Sequence, residues 1–389
     1  MSDITIKRDM GIYLHIPFCK LKCSYCDFAS YQGLQDYYED YTVAICKEID
    51  LWVKAHPECT AIYSVSSVYF GGGTPTQLSI DQLTRIVNKL KQYFDISNVE
   101  MTIEANPGEI SFEYLCGLHI LGYNRISFGV QTFDEDLLKL LHRGHTKEEA
   151  LEAIYNATEA GFRNISVDLI YALPNQNFSD LKQNLDIVAT LPIQHISIYG
   201  LQLEKGTYLE KLVREGKLDL PSEEEVEAMY DYMIYRIQDL GFERYEISNF
   251  AKAEQYSSHN LKYWHYVDYL GFGVGAHSFY NGVRSENNSY VVPYINRLAN
   301  NELPVVNSEV IDLQRNREDY CYLALRTKWG INVSQFNERF DKSFDDCYDI
   351  VVKRLLSKKL LEYDSILNTY RLTESGAKHG NYVFAQFIE

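Results

Sequence analysis

Cys19, Cys23 and Cys26 stand within eight residues, Cys19-Lys-Leu-Lys-Cys23-Ser-Tyr-Cys26, just after an apolar run. In a chain with eight cysteines among 389 residues, the chance of filling two fixed further positions is about 0.3%, so metal ligation outweighs coincidence. Soft thiolates select zinc, copper(I) or an iron–sulfur cluster. A Cys3His zinc site would draw on His15 as its fourth ligand. Three thiolates on a four-iron cluster leave one iron without a protein ligand, an open position that implies a small-molecule guest. The spacing is too tight for a structural disulfide framework, so the thiols read as free in a reducing cytoplasm.

Other residues with chemical capacity lie at regular intervals downstream. The run Gly71-Gly72-Gly73-Thr74 lets the backbone approach a ligand as residues with a Cβ cannot. Glu104, Gln131 and Asp168 each follow an apolar stretch, and Arg143 supplies a cation for carboxylate recognition. His259-Asn260-Leu-Lys-Tyr263-Trp264 sets an imidazole beside two aromatics, which suits either a metal ligand or a hydrogen-bonded core histidine. His15 and His277 are weaker candidates. Tyr13 and Tyr25 fit equally as packing aromatics or as ligand contacts.

The elements that must position these residues alternate. Short β-branched runs, Ile12–Phe18, Val65–Phe70, Val99–Ala105, Arg125–Val130, Ile165–Ile170 and His195–Leu201, predict six strands. Between them Asp36–Lys54, Ile80–Tyr93, Phe112–Leu121, Lys147–Ala160 and Ser179–Ala189 read as helices, with Ser79 and Ser179 as N-caps and Gly122 and Gly161 at C-terminal ends. Strand alternating with helix means parallel pairing. The polar residues fall at or just after the carboxyl ends of the strands, where a β/α barrel carries its chemistry. A closed eight-unit barrel takes about 250 residues, so six units over residues 1–203 predict an open partial (β/α)6 TIM-like barrel.

Beyond residue 203 the rhythm changes. An acidic stretch from Ser222 opens an amphipathic helix that ends near Gly241, and Tyr245–Phe250 and Leu270–Phe279 read as short strands. Residues 204–303 are therefore expected to form a linker subdomain, and residues 304–389 a small helical, winged-helix-like domain. The latter is expected to be helical from Pro304 through Arg326, over Val333–Phe340 and over Phe344–Lys359. A hairpin of Leu361–Tyr363 and Tyr370–Thr373 closes it. The net charge of −17 repels phosphate backbones and anionic lipid, which argues against nucleic-acid binding. Charges within Met1–Met10 argue against a secretory signal, and no run of about 20 apolar residues offers a membrane span.

Cys-x3-Cys-x2-Cys resembles the signature of the radical S-adenosylmethionine (SAM) proteins. Tyr13-Leu-His-Ile-Pro-Phe-Cys19, Phe70-Gly-Gly-Gly-Thr-Pro-Thr76, Ile103-Glu-Ala-Asn-Pro107, Ser127-Phe-Gly-Val-Gln131, His142-Arg-Gly144 and Val167-Asp-Leu-Ile-Tyr-Ala-Leu-Pro174 look like successive motifs of its coproporphyrinogen III oxidase-like branch. The resemblance implies a radical SAM barrel in which Cys19, Cys23 and Cys26 hold a [4Fe–4S] cluster. In that family S-adenosyl-L-methionine chelates the fourth iron and is cleaved to a 5′-deoxyadenosyl radical. It also implies that Tyr13, Tyr25, Gly72, Gly73, Thr74, Glu104, Gln131, Arg143 and Asp168 line the nucleoside site.

Within the branch, the authentic oxidases carry a further cysteine two residues beyond the motif, where this chain has Phe28, and a longer N-terminal extension. Cys26-Asp27-Phe28 and His259-Asn-x-x-Tyr263-Trp264 instead resemble the HemW-type haem chaperones. That resemblance implies haem as a third bound group with His259 as a candidate ligand, a haem-acceptor protein as partner, and any membrane contact only through a membrane-bound acceptor. Asp27 after Cys26 excludes a Cys-x-x-Cys-His attachment site for c-type haem. Radical decarboxylation of coproporphyrinogen propionates is the alternative activity, and a zinc-bound winged-helix interaction protein the alternative of a different class.

Overall fold

The computed structural model describes residues 7–388. Residues 1–6, part of the stretch whose charges argue against a secretory signal, lie outside the described residues. Six parallel strands form the centre of the main sheet in chain order: β1 (Arg8–Ile16), β2 (Tyr63–Gly72), β3 (Glu100–Ala105), β4 (Arg125–Gln131), β5 (Asn164–Tyr171) and β6 (His195–Gly200). Helices Tyr38–Ala55, Ile80–Lys91, Phe112–Leu121, Lys147–Glu159 and Phe178–Val188 return the chain between strands. The strands alternate, because successive side chains point to opposite faces. Ile12, Leu14 and Ile16 on β1, and Val68 and Phe70 on β2, are fully buried with the helices in one large apolar core. The other face carries Tyr13, Ser67, Tyr69, Glu104, Ser127, Asp168 and His195, and is polar.

The sheet does not close. Later strands take both of its edges: β7 (Glu243–Arg244) and β8 (Asn249–Ala251) extend beyond β6, with β8 antiparallel to it. β9 (Tyr269–Phe272) pairs parallel with β1 and is followed outward by β10 (His277–Tyr280), β11 (Val283–Asn287) and β12 (Val305–Val310). Segment 204–303 thus contributes strands to both rims of the same sheet. A second apolar core lies under helices Leu313–Ala324, Val333–Arg339 and Phe344–Ser357 and a separate sheet of β13 (Ile331–Asn332), β14 (Leu361–Asp364) and β15 (Thr369–Leu372). Among the described residues no helix is long and apolar enough to cross a membrane.

Local signals place most boundaries. Ser79 accepts a hydrogen bond from Gln82 in a reciprocal capping box, and Gly122 ends its helix in the left-handed region. Two helix expectations are corrected, and one short helix was not expected. The helix expected from Ser179 is capped by Asn177, whose side chain accepts from the backbone N–H groups of Ser179 and Asp180. Val305–Val310 is not helical: its β-branched residues pair with β11, and the helix starts only after Asp312 caps it. A further short helix, Glu135–Leu140, starts at Asp134, whose carboxylate accepts from two N–H groups.

Glu48, buried on helix Tyr38–Ala55, ties the β9–β11 extension to the core. Its carboxylate accepts from Gly273 N at 2.8 Å, from Asn287 Nδ2 at 2.6 Å and from the Tyr294 hydroxyl. Burial pushes its pKa up to about 7. Glu48→Ala leaves the Gly273 N–H and the Tyr294 hydroxyl unpartnered and Asn287 Nδ2 with only the Gly273 carbonyl, and we expect it to lower unfolding free energy by about 3 kcal/mol in denaturant titration. Unchanged stability would show that this junction is not held by the carboxylate.

Candidate functional site

The cysteine loop leaves the carboxyl end of β1 and is tied down at both ends. Cys19 N donates to Tyr31 O at 2.9 Å and Tyr31 N to Pro17 O at 2.7 Å, which closes the loop at its base. Ser24 tethers the far side through its N–H and hydroxyl to Leu141 O and Leu140 O, at 3.1 and 3.0 Å. The glycine run at the end of β2 locks against the same corner, with Gly73 N donating to Ile16 O at 2.9 Å and Thr74 N to Phe18 O at 2.7 Å. Gly72 has φ +108°, and a Cβ there would lie 2.4 Å from the His15 ring. A Cβ at Gly73 would lie 2.8–2.9 Å from backbone atoms of Ile16 and Phe18. Only glycine lets these two strand ends meet.

Cations and hydroxyls face the thiols. Arg143 Nη1 is 3.1 Å from Cys23 Sγ, Lys22 Nζ 3.6 Å from Cys26 Sγ and Thr74 Oγ1 3.6 Å from Cys19 Sγ. Burial pushes the Cys19 thiol up, while hydrogen bonds from Thr74 and Ser30 act in the opposite sense. Among the described residues no three His, Cys, Asp or Glu side chains converge on one metal ion. Three thiols on one loop are a donor set suited to a thiolate-held cluster. His15 does not join them, because Tyr13 OH (3.1 Å) and Ala29 O (2.9 Å) occupy its ring nitrogens.

All three cysteines open into a cavity of about 1340 Å³. Tyr25, Gly72, Gly73, Thr74, Glu104, Gln131, Arg143 and Asp168 line it too. Glu104 accepts from Tyr69 OH at 2.7 Å and Gly72 N at 3.2 Å, and burial pushes its pKa up to about 7. Asp168 accepts from Ser127 Oγ at 3.1 Å and is likewise raised by burial. Gln131 sits at a register shift between β4 and β5 with φ +68°, which turns it toward the cavity. The opposite wall comes from later in the chain: Tyr199, Tyr230, Tyr322, Arg326, Tyr382 and Phe384.

Two of the expected ligand contacts are elsewhere. His259 does not line the cavity. It is 1% exposed, its Nδ1 is 3.0 Å from Ser67 Oγ and its Nε2 2.9 Å from Tyr263 OH. Burial pushes its pKa down to about 3, so it is neutral. Glu100 accepts from the N–H groups of Ser258 and His259, both at 3.0 Å, and anchors the helix Ser258–Trp264 across the amino ends of β1–β3 as a plug. Tyr13 lies in this same layer, with its ring 6.2 Å from that of Tyr69 and 6.3 Å from that of His259. Both ring nitrogens of His259 thus have hydrogen-bond partners within the chain. His277 is exposed on β10, away from the cavity.

Sequence reasoning passed over Asn106 and Lys22. Asn106 Nδ2 donates to Thr74 Oγ1 at 2.9 Å and its Oδ1 accepts from Arg143 Nη2 at 2.7 Å, so it joins the glycine corner to the thiol-facing cation. The polar residue directly after β3 was the available signal. Lys22 lies between two of the cysteines, but its inward turn depends on Phe28 O and Ser30, which the spacing alone does not show.

A model of the radical SAM superfamily matches residues 13–188. The chain is 36% identical over 380 residues to the heme chaperone HemW of Bacillus subtilis (strain 168), covering 97% of this chain and 98% of that protein. It is 34% identical to the heme chaperone HemW of Lactococcus lactis subsp. lactis (strain IL1403), covering 98% of each. Its fold is similar to that of the coproporphyrinogen III oxidase HemN from Escherichia coli, a radical SAM enzyme, with a TM-score of 0.84 at 23% identity over 98% of this chain and 90% of that one. With 34–36% identity over nearly the whole of each chain, the chain belongs to the HemW family of the radical SAM superfamily.

Proposed function

We propose that this protein is a cytoplasmic haem chaperone: it binds haem, passes it to an acceptor protein, and carries a [4Fe–4S] cluster and S-adenosyl-L-methionine at the carboxyl ends of β1–β5. The observation that carries this reading is the single cavity that joins three thiols at one end to an aromatic, cation-bearing wall at the other. Its volume of about 1340 Å³ exceeds the usual range of about 300–1,000 Å³ for a small-ligand site. The near full-length relatives named haem chaperones support the same assignment.

In this reading Cys19, Cys23 and Cys26 each hold one iron, and the cluster when bound supplies an open iron and an electron. The main chain at Gly72, Gly73 and Thr74, with Glu104, receives the ammonium of S-adenosyl-L-methionine, and Gln131 and Asp168 receive its polar ribose side. Arg143 already donates to Cys23, Asn106 and the Gly129 carbonyl, so its charge offsets the thiolates rather than clamping a ligand carboxylate. Oxidase activity is not expected. Phe28, which is 67% exposed and lines the cavity, brings no thiol to the place where the resembling oxidases have one.

Anaerobically reconstituted protein is expected to contain four irons and four sulfides per chain and to give a cluster electron paramagnetic resonance signal that S-adenosyl-L-methionine perturbs. Cys23→Ala should lose it. Iron-free, colourless protein after reconstitution would end the proposal, and protoporphyrinogen formed from coproporphyrinogen III would favour the oxidase instead. In Arg143→Gln, removal of a positive charge 3.1 Å from a ligating sulfur is expected to make the cluster potential more negative, read by redox titration. An unchanged potential would show that Arg143 does not offset cluster charge. His259→Gln should leave the Soret band of bound haem in place while lowering thermal stability; a shifted band would mean that the plug opens to expose the imidazole.

A further inference from the structure

The geometry points to His379 as the residue that ligates the metal of a tetrapyrrole bound in the cavity. This rests on the haem reading above and adds the ligand, which moves from the buried plug to the C-terminal wall. Among the described residues His379 is the only histidine that lines the cavity. It lies between two short helices, Glu374–Lys378 and Gly380–Phe384, and is exposed. Its Nδ1 is 2.9 Å from the Ser375 carbonyl. A carbonyl can only accept, so Nδ1 carries the proton and Nε2 keeps its lone pair. No group of the described chain bonds to Nε2. An imidazole oriented through one nitrogen by a carbonyl, with the other free, is arranged as metal-ligating histidines are.

The surroundings narrow the metal to one that brings its own ligands. No three ligating side chains converge on a point among the described residues, so a free divalent ion at His379 would lack the three or four donors it needs. A metal held in a macrocycle needs only an axial donor. The neighbouring wall suits the rest of such a ligand. Tyr322, Tyr382 and Phe384 offer aromatic surface, and Arg326, also on the wall, stands over the Trp264 ring at 4.5 Å. The Arg326 guanidinium makes no hydrogen bond within the described chain; it forms one long ion pair, at 3.9 Å, with the buried Glu246 carboxylate, and its Nε is buried without a hydrogen-bond partner. A guanidinium with one long ion pair and no hydrogen bond keeps N–H donors for a carboxylate such as a propionate. Met233, a second soft donor on the wall, is 2% exposed and packed in the core.

The test is an anaerobic titration of the full chain with ferric haem and, separately, with metal-free protoporphyrin IX, comparing wild type, His379→Gly and His259→Gln. His379→Gly is expected to shift the Soret band and weaken haem by about tenfold or more, and to leave metal-free protoporphyrin affinity unchanged. Added imidazole should restore the wild-type spectrum. Because His379 is exposed, the variant should fold, as circular dichroism checks. A wild-type Soret band and affinity in His379→Gly, or equal weakening of haem and the metal-free ring, overturns the assignment and leaves the haem reading standing. Failure of the wild-type chain to bind haem overturns both.

Discussion

The contact on which the site depends is the approach of the Gly72–Gly73 backbone to the end of β1. Two main-chain hydrogen bonds, Gly73 N to Ile16 O and Thr74 N to Phe18 O, join the start of the cysteine loop to the end of β2. Gly72 N reaches across to Glu104 on β3. Three consecutive strand ends therefore form one corner with no space for a Cβ at Gly73. Because the corner is held by backbone, the positions of the thiols and of the ligand floor are fixed before any cofactor arrives, and the ordering entropy is already spent in folding.

Below that corner the inner face of the sheet is closed by a buried polar layer, which also holds the Arg125 guanidinium. Ser67, His259 and Tyr263 form one hydrogen-bonded chain, and Ser166, His195 and Tyr245 a second, with His195 Nδ1 2.8 Å from Ser166 and Nε2 2.7 Å from Tyr245. Burial lowers the pKa of both histidines, so neither adds charge beneath Glu104 and Asp168. Every ring nitrogen has a partner, as burial requires. The barrel thus has its opening at the carboxyl ends of its strands and a shut floor at the other.

The open sheet explains why the C-terminal region matters to the site. With both edges taken by strands from later in the chain, the gap between β6 and β1 is not sealed by strand pairing. Helix Glu223–Asp239 and the region 377–384 supply the missing wall, joined through Lys378 to Glu227 at 3.4 Å and to Asp231 at 2.5 Å. These are surface ion pairs, worth about 1 kcal/mol or less each. Val383 and Phe384 seat the same region in the second apolar core.

How much of this was legible in the sequence follows from the range of each interaction. Alternation of apolar residues along β1–β6, the capping serine at Ser79, the left-handed glycine at Gly122 and the thiol spacing are local, set within a few bonds, and they determined the parallel order, the open barrel and the cluster loop. Asn177 displaced Ser179 as a cap because both have suitable side chains and only backbone geometry chooses between them. Val305–Val310 became a strand because β11 offered it an edge, a partner invisible in the segment itself. The same holds for the histidines. His259, beside Tyr263 and Trp264, carries the pattern of a ligand, yet it meets Ser67 192 residues away and is consumed there. His379, with no motif around it, reaches the cavity because tertiary packing brings the chain's end to the open side of the sheet. Residue types and spacing determine what a side chain is able to do; burial and long-range hydrogen bonding decide whether its lone pair is still free to do it.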